Sequence, residues 1–345
     1  MVNGMSWRVI PLAEAEKTWD VWLEGFADAH IKQTFAWANL KRGAWNPVFT
    51  GYFDGPTPMS LGLLMERAAP GGLMRVAWAN GGPCFRKSVR EGQNLAALRG
   101  WLDGAKKHLD AAGRGLLRIN LAVAMDVKAQ LVLREASFVR PLVPLSTGLS
   151  YILDLTLPEE EARTRLDRNW RNQLRQAEAL SPTFDWGRGS DMIRRYLPLH
   201  EALCARKELA ALRTTTAELE RSAQALGERL QFALVGVDGR DGTGGAVWRL
   251  GDKAWGALFA ADDFGNKRHL PNFYLMKVIA RLKAEGAKTF DFMGIDPCAN
   301  WGVYNFKRGL GAAPVEFIGE WEYAASDWTR RIFSAALWWR RDRMP

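Results

Sequence analysis

Cysteine and histidine are scarce, with three and four residues respectively in a chain of 345. Cys84, Cys204 and Cys298 are far apart and lack metal-ligand spacing, so they read as isolated reduced thiols of a cytosolic protein. His30, His108, His200 and His269 form no HExxH or similar cluster, and no metal is expected. No stretch approaches the roughly 18 apolar residues that would span a bilayer. Met1 to Arg8 holds no apolar segment ahead of a cleavage site, so nothing directs export. The expected location is cytoplasmic, at most peripheral at the inner face of the membrane. RRM, KH and zinc-knuckle signatures are missing as well, so any RNA contact would rest on charge and shape.

What the chain has is length, apolar residues and positive charge. At about 150 residues per domain its length suggests two domains, and 48% apolar composition supports a large core. A net charge of +9, with a pI near 9.6, suits a polyanionic partner: RNA, a nucleotide-linked substrate or an anionic membrane. Alternation and turn residues predict a hairpin of Val48–Phe53 and Ser60–Arg67 about Asp54-Gly55-Pro56. A strand over Gly72–Ala79, broken at Gly81-Gly82-Pro83, follows. Next come an amphipathic helix over Gln93–Ala112, stopped by Gly113, and a buried strand over Gly115–Leu121.

The second half opens with a strand at Tyr151–Leu155. Thr156-x-x-Glu159 has the form of a capping box with Pro158 in the first turn, predicting one helix to about Leu180. Helices follow at Asp191–Arg206 and Thr216–Leu226, then three antiparallel strands at Leu230–Val237, Gly244–Leu250 and Lys253–Ala261. A helix at Leu270–Glu285 and strands at Lys288–Met293 and Pro314–Tyr323 complete the half. Each half thus holds meandering strands, a helix and a further strand, which predicts two related α+β units with mixed sheets. The expected divisions are 1–147, 148–325 and a basic tail, 326–345.

The stretch Asp291-Phe-Met-Gly-Ile-Asp296, followed by Gly302-Val-Tyr-Asn-Phe-Lys307-Arg-Gly-Leu-Gly311, carries most of the functional information. An apolar run ends in a glycine, a polar loop follows, and Phe306-Lys307 sits on a short helix closed by Gly309 and Gly311. A lysine presented at the end of a buried strand can hold a phosphate or a developing oxyanion, as acyl transfer requires; a surface lysine is the plainer reading. After Pro158, Ala162, Leu166, Trp170 and Leu174 recur every four residues as a buried stripe. Arg168, Arg171 and Arg175 share another face, suited to the phosphates of an RNA acceptor stem or simply solvated. In the tail, Trp328, Ile332, Ala335 and Trp339 form a stripe among Arg330, Arg331, Arg340, Arg341 and Arg343. Such a helix can pack on the body, lie on an anionic membrane or face RNA. Trp301, with Trp248 and Trp255, either stacks on a substrate or fills a core.

Taken together, these segments resemble the FemAB family. Its members are tandem GNAT-fold transferases that use aminoacyl-tRNA to add amino acids to peptidoglycan precursors or other amine-bearing small molecules. Gln33-Thr-Phe-Ala-Trp37-Ala-Asn-Leu-Lys41 is similar to the family's Gln-Ser-x-x-Trp segment with its trailing lysine. Trp170 to Ala177 resembles the helix in which arginines precede a Lys-Ala or Gln-Ala pair. Asp291 to Asp296 resembles the Tyr-Asp-Phe-x-Gly strand end, and Gly302 to Gly311 the Phe-Lys-x-Gly-Phe-Gly turn, with Leu310 in place of the second Phe. The resemblance covers about residues 30 to 323.

It implies an α+β fold of two tandem GNAT-like domains with mixed, mainly antiparallel sheets, acting as a monomer. Lys307 and Asp296 would serve the reaction. Lys41 and Arg206 would hold an acceptor phosphate, with Arg213 competing for the second place. Trp37, Trp301, Tyr304 and Phe306 would lie beside the substrate, and Arg168, Arg171 and Arg175 would meet tRNA. No cofactor is implied beyond aminoacyl-tRNA as co-substrate, and the acceptor is a small-molecule amine.

Acyl-CoA enzymes of this fold carry a Gln/Arg-x-x-Gly-x-Gly/Ala loop whose amides cradle the CoA pyrophosphate. The corresponding Asp262-Asp-Phe-Gly-Asn-Lys-Arg-His-Leu-Pro-Asn272 has only Gly265 and opens with two aspartates. That favours an aminoacyl-tRNA donor. For the general base, relatives often carry Asp-Pro where this chain has Asn120, so Asp291 and Asp262 stand beside Asp296 as candidates. Three readings remain: an aminoacyl-tRNA-dependent aminoacyltransferase, an acyl-CoA-dependent N-acyltransferase, and a non-catalytic GNAT-like protein that binds RNA or membrane.

Overall fold

The computed structural model describes residues 4–68, 72, 74–111, 115–208 and 213–341. Gly113 and Arg343, both singled out above, lie outside the described residues, as do the side chains of Arg340 and Arg341. The chain divides into two units, Met1–Gly148 with Glu316–Arg343, and Leu149–Val315.

The first unit begins with β1 (Met5–Ile10), α1 (Leu12–Glu24) and α2 (Phe35–Lys41). The hairpin β2 (Asn46–Asp54) and β3 (Thr57–Ala68) follows, then β4 (Arg75–Asn80), α3 (Glu91–Asp110), β5 (Gly115–Ala124) and α4 (Val127–Glu135). Thr34 caps α2 by accepting the Trp37 amide at 3.1 Å. The buried Gln33 accepts the Leu63 amide at 2.7 Å and donates to the Asn80 carbonyl at 3.0 Å. The Gln-Thr-Phe-Ala-Trp segment is thereby fixed to β3 and β4.

The second unit runs through β6 (Leu149–Asp154), α5 (Glu159–Thr164), α6 (Arg168–Glu178), β7 (Thr183–Gly187), α7 (Ser190–Arg206) and α8 (Thr216–Leu226). It continues with β8 (Leu230–Val237), β9 (Arg240–Leu250), β10 (Lys253–Ala261), α9 (Asp263–Lys267), α10 (Leu270–Ala284), β11 (Thr289–Asp291) and α11 (Trp301–Arg308). The chain ends with β12 (Ala313–Ala324) and α12 (Asp327–Arg341), which from Glu316 onward belong to the first unit.

The two units repeat one pattern. In the first the strands lie in the order β1-β2-β3-β4-β5-β12, antiparallel except for the pair β4–β5, which α3 connects. In the second the order is β7-β8-β9-β10-β11-β6, antiparallel except for β10–β11, connected by α10. This is the mixed, mainly antiparallel α+β arrangement that the sequence predicts. One core gathers Leu98, Trp101 and Leu102 of α3 against Ala77, Leu117, Ile119 and Trp321. The other gathers Trp170 and Leu174 of α6 and Leu270, Val278 and Leu282 of α10 against Val235, Val247 and Phe290.

Two local expectations are corrected. Thr156 does not cap a helix: its amide and hydroxyl both turn to the Asp154 carboxylate, and the residue before α5 is Pro158, with no side-chain cap. The expected helix to Leu180 is two helices, broken where the Asp167 amide leaves the helical ladder to donate to the Gly309 carbonyl at 2.9 Å. The true capping box is at Thr215 and Glu218, ahead of α8. β1, α1, α4, β7 and α9 were not expected from the sequence.

Candidate functional site

The parallel strands of the second unit part early. β10 pairs with β11 only from Lys253–Thr289 to Trp255–Asp291, although β10 continues to Ala261. A bulge between Gly256 and Leu258 shifts the register of β10 against β9 at the same level. The matching pair in the first unit, β4–β5, stays joined from Arg75–Gly115 to Asn80–Asn120. A notch therefore opens beside the far half of β10.

The chain after β11 is held away from β10 by its own bonds. The Phe292 and Ile295 amides donate to the Tyr151 and Leu149 carbonyls, each at 3.0 Å, and Met293 takes a φ of 54°. The Lys307 ammonium donates to the carbonyls of Phe292 at 2.8 Å, Met293 at 2.5 Å and Gly294 at 3.0 Å. These bonds occupy all three N–H groups of a lysine. Burial draws the Lys307 amine down to about 8, opposed by the Asp291 charge. Asp291 is buried and accepts from the Ser150 hydroxyl and, at 2.7 Å, from the Met293 amide.

Lys307 is placed by α11. Asp296 shapes the turn ahead of that helix, accepting the Cys298 and Ala299 amides at 2.9 and 2.8 Å, and Asn300 caps it. Along α11, Trp301 stacks on Tyr304 with centroids 5.3 Å apart. Burial and the Tyr304 hydroxyl push the Tyr151 phenol up to about 12. Phe306 lies between Trp170 and Phe259 at 6.1 and 6.3 Å. The closing glycines follow from contact with the α5–α6 turn. A Cβ on Gly309 would come within 2.7 Å of the Trp170 ring. One on Gly311, at φ +71°, would come within 2.6 Å of the Arg165 carbonyl.

A cleft of about 440 Å³ runs along this notch. Phe259, Phe306 and Leu203 give it apolar walls, and Gln173, Asn272 and Asn300 add amides. Arg206 and Lys207 supply positive charge. Arg206 is ion-paired with Asp263 at 3.0 Å, and Asn272 donates to Gln173 at 3.3 Å.

The segment after β10 has its own occupant at the helix start. The Asp262 carboxylate caps α9, accepting the Gly265 amide at 2.7 Å, and also meets Arg240 at 2.8 Å. Gly265 lies so close to the Gly242 carbonyl that a Cβ would collide with it. This glycine is explained by backbone approach, and the position an anion would take at the start of α9 holds the chain's own carboxylate.

Of the site residues expected from sequence, Arg206 and Phe306 meet in the cleft; Lys307, Tyr304 and Trp301 lie on the helix that carries Phe306, and Asp296 on its approach, but none of these four lines the cleft. Trp37 and Lys41 lie together on α2 of the first unit, the ammonium 5.0 Å from the indole centre. Arg168, Arg171 and Arg175 are exposed on α6; Arg171 donates to the Thr164 carbonyl and Arg175 to Asn172. Sequence reasoning missed the notch itself, together with Gln173, Asn272 and Lys207. Among the described residues, no three of His, Cys, Asp and Glu converge as a metal site requires.

Residues 163–308 match the family described as Acetyltransferase (GNAT) domain. The fold is similar to that of FemX, with a TM-score of 0.81 at 16% identity, over 95% of this chain and 100% of that one. A tandem GNAT protein from the clavulanic acid biosynthesis pathway aligns at 0.54 and 12% identity, over 93% and 99% of the two chains. The C-terminal domain (DUF2156) of a putative lysylphosphatidylglycerol synthetase from Agrobacterium fabrum aligns at 0.54 and 15%, over 92% and 96%. No curated protein matches the chain by sequence.

Proposed function

The chain has the tandem GNAT-like fold of the FemAB type, and from that premise we propose that it is an acyltransferase that takes its acyl group from aminoacyl-tRNA and forms an amide on a small amine acceptor. The acceptor nitrogen attacks the ester carbonyl carbon. A C–N bond forms, the tetrahedral oxyanion collapses, the ribose oxygen leaves, and the proton lost by the amine is taken up by the leaving oxygen.

The observation that carries the choice of donor is the capped start of α9. A CoA pyrophosphate seated there would face the Asp262 and Asp263 carboxylates and find the Gly265 amide already engaged. The exposed arginines of α6, on the same helix as the cleft residue Gln173, support a nucleic-acid donor instead. The unpaired edge of β10 beyond Trp255 offers backbone groups to an extended acyl or peptide chain. Arg206 and Lys207 beside Phe259 and Phe306 suit an acceptor that joins an anionic group to an apolar part, such as a peptidoglycan precursor or an intermediate of natural-product assembly. Tyr304 and Trp301 would line its path, and Asp296 would hold the approach to α11.

A second reading, an acyl-CoA-dependent N-acyltransferase, is favoured by the match of 163–308 to an acetyltransferase domain. Incubation with a pool of charged tRNAs and amine acceptors, in parallel with acetyl-CoA, separates the two by mass spectrometry. Amide product from charged tRNA alone is expected. Product from acetyl-CoA alone would select the second reading, and consumption of neither donor would leave a non-catalytic protein.

A further inference from the structure

Helix α12 presents its apolar side outward. Its inner side carries Phe333, packed on Met74, Val76 and Leu116, with Thr329 and Ser334 buried and Arg330 3.7 Å from Glu322. On the opposite side Trp328 is 74% exposed, Ile332 58%, Trp338 60% and Trp339 56%. Ala335 and Arg331 are exposed among them. Residues 328, 332, 335 and 339 recur at helical spacing, so the outward crest is continuous.

We infer that this face is a docking surface for an anionic lipid bilayer, on which α12 lies in the interface plane. The segment 327–345 has five arginines against two aspartates; with Arg330 paired to Asp327 at 2.9 Å, four arginines and one aspartate remain, the sign that anionic headgroups attract. Tryptophan favours the headgroup level, where its ring is half apolar and its N–H stays wet. Arg331, on the flank of the crest, can lay its stem along the acyl boundary with the guanidinium among phosphates. At 15 residues α12 is too short to cross a bilayer, and no described helix is long and apolar enough to do so.

Other occupants fit less well. An RNA surface would need arginines along the crest for phosphate contacts, and the crest residues 328, 332, 335 and 339 carry no charge. A second copy of the chain would need about 800 Å² per partner; the four large side chains expose roughly 500 Å² in all. The inference does not depend on the proposed reaction.

The test uses the full chain with vesicles of phosphatidylcholine alone or with added phosphatidylglycerol, read by co-sedimentation. Binding to the anionic vesicles is expected, weakening as salt rises. The variant Trp328→Ser/Ile332→Ser/Trp339→Ser should bind about tenfold or more weakly, and Arg331→Glu several-fold. Unchanged circular dichroism controls for folding. The inference is overturned if the full chain ignores anionic vesicles, or if the triple variant binds as the parent does. It is equally overturned if the same substitutions abolish only self-association or tRNA binding, with no vesicle binding by the parent.

Discussion

Lys307 was legible as a singular residue because it sits on a short, glycine-closed segment that follows an apolar strand and a polar loop. Its partners were not legible, because three backbone carbonyls leave no mark on the sequence. In the structure it fastens the segment that parts from β10, so its first effect on chemistry is to keep the notch open. To hold an oxyanion directly it must release one carbonyl. Its folded pKa, about 8, lies below the free value of 10.5. The fold therefore disfavours the proton. That cost is fully present below about pH 8 and lifts as pH rises toward the free value. We expect turnover to fall as pH rises through about 8, with Lys307→Arg moving that limb upward because guanidinium keeps its proton. Lys307→Met should abolish the limb and cost about 1–3 kcal/mol in urea unfolding.

A second residue-scale prediction concerns Arg118, buried against Glu320 at 3.4 Å and Glu322 at 2.6 Å. Glu322→Ala removes the closer carboxylate and leaves a buried guanidinium short of charge. Urea unfolding should show a loss of about 3–5 kcal/mol. Neighbouring Asn120 was noticed for the carboxylate it lacks; the structural feature of that strand is the arginine two residues earlier.

At the scale of elements, the strands and long helices were readable because each keeps one period over several turns or alternations. Boundaries set by distant partners were not. The Thr-x-x-Glu pattern occurs at both Thr156 and Thr215, and only the second closes a capping box, since Asp154 draws the hydroxyl of the first. The break between α5 and α6 depends on the Gly309 carbonyl and on Gly311 lying under Arg165. Gly311→Ala combines a positive φ with that close approach and should destabilise the second unit by about 1–3 kcal/mol, measured by thermal unfolding. On α6 itself, Arg168→Glu/Arg171→Glu/Arg175→Glu should weaken tRNA binding. It should also flatten the log–log salt dependence by about 2, measured by filter binding. An unchanged slope would place tRNA elsewhere.

At the scale of the whole molecule, the last antiparallel strand of each unit comes from outside its meander. β6 precedes the second meander, and β12 follows every other strand. The first unit is therefore completed by residues that follow the whole of the second unit in the chain. A chain ended after Val315 would lose Ile318 and Trp321 from the first core and both carboxylates from Arg118. Limited proteolysis should then degrade the first unit and spare residues 149–315. Survival of both halves would show that β12 is dispensable.

The sequence by itself determined the repeated order of strands and helices, the short helix bearing Lys307 and the basic, tryptophan-rich end, because these are written in local periods and turn residues. Only the tertiary structure decided which strand completes which unit, where β10 and β11 part, and which side of α12 faces outward. Those outcomes turn on pairings such as Arg118 with Glu322, 204 positions apart, and no local pattern constrains contacts over such a span.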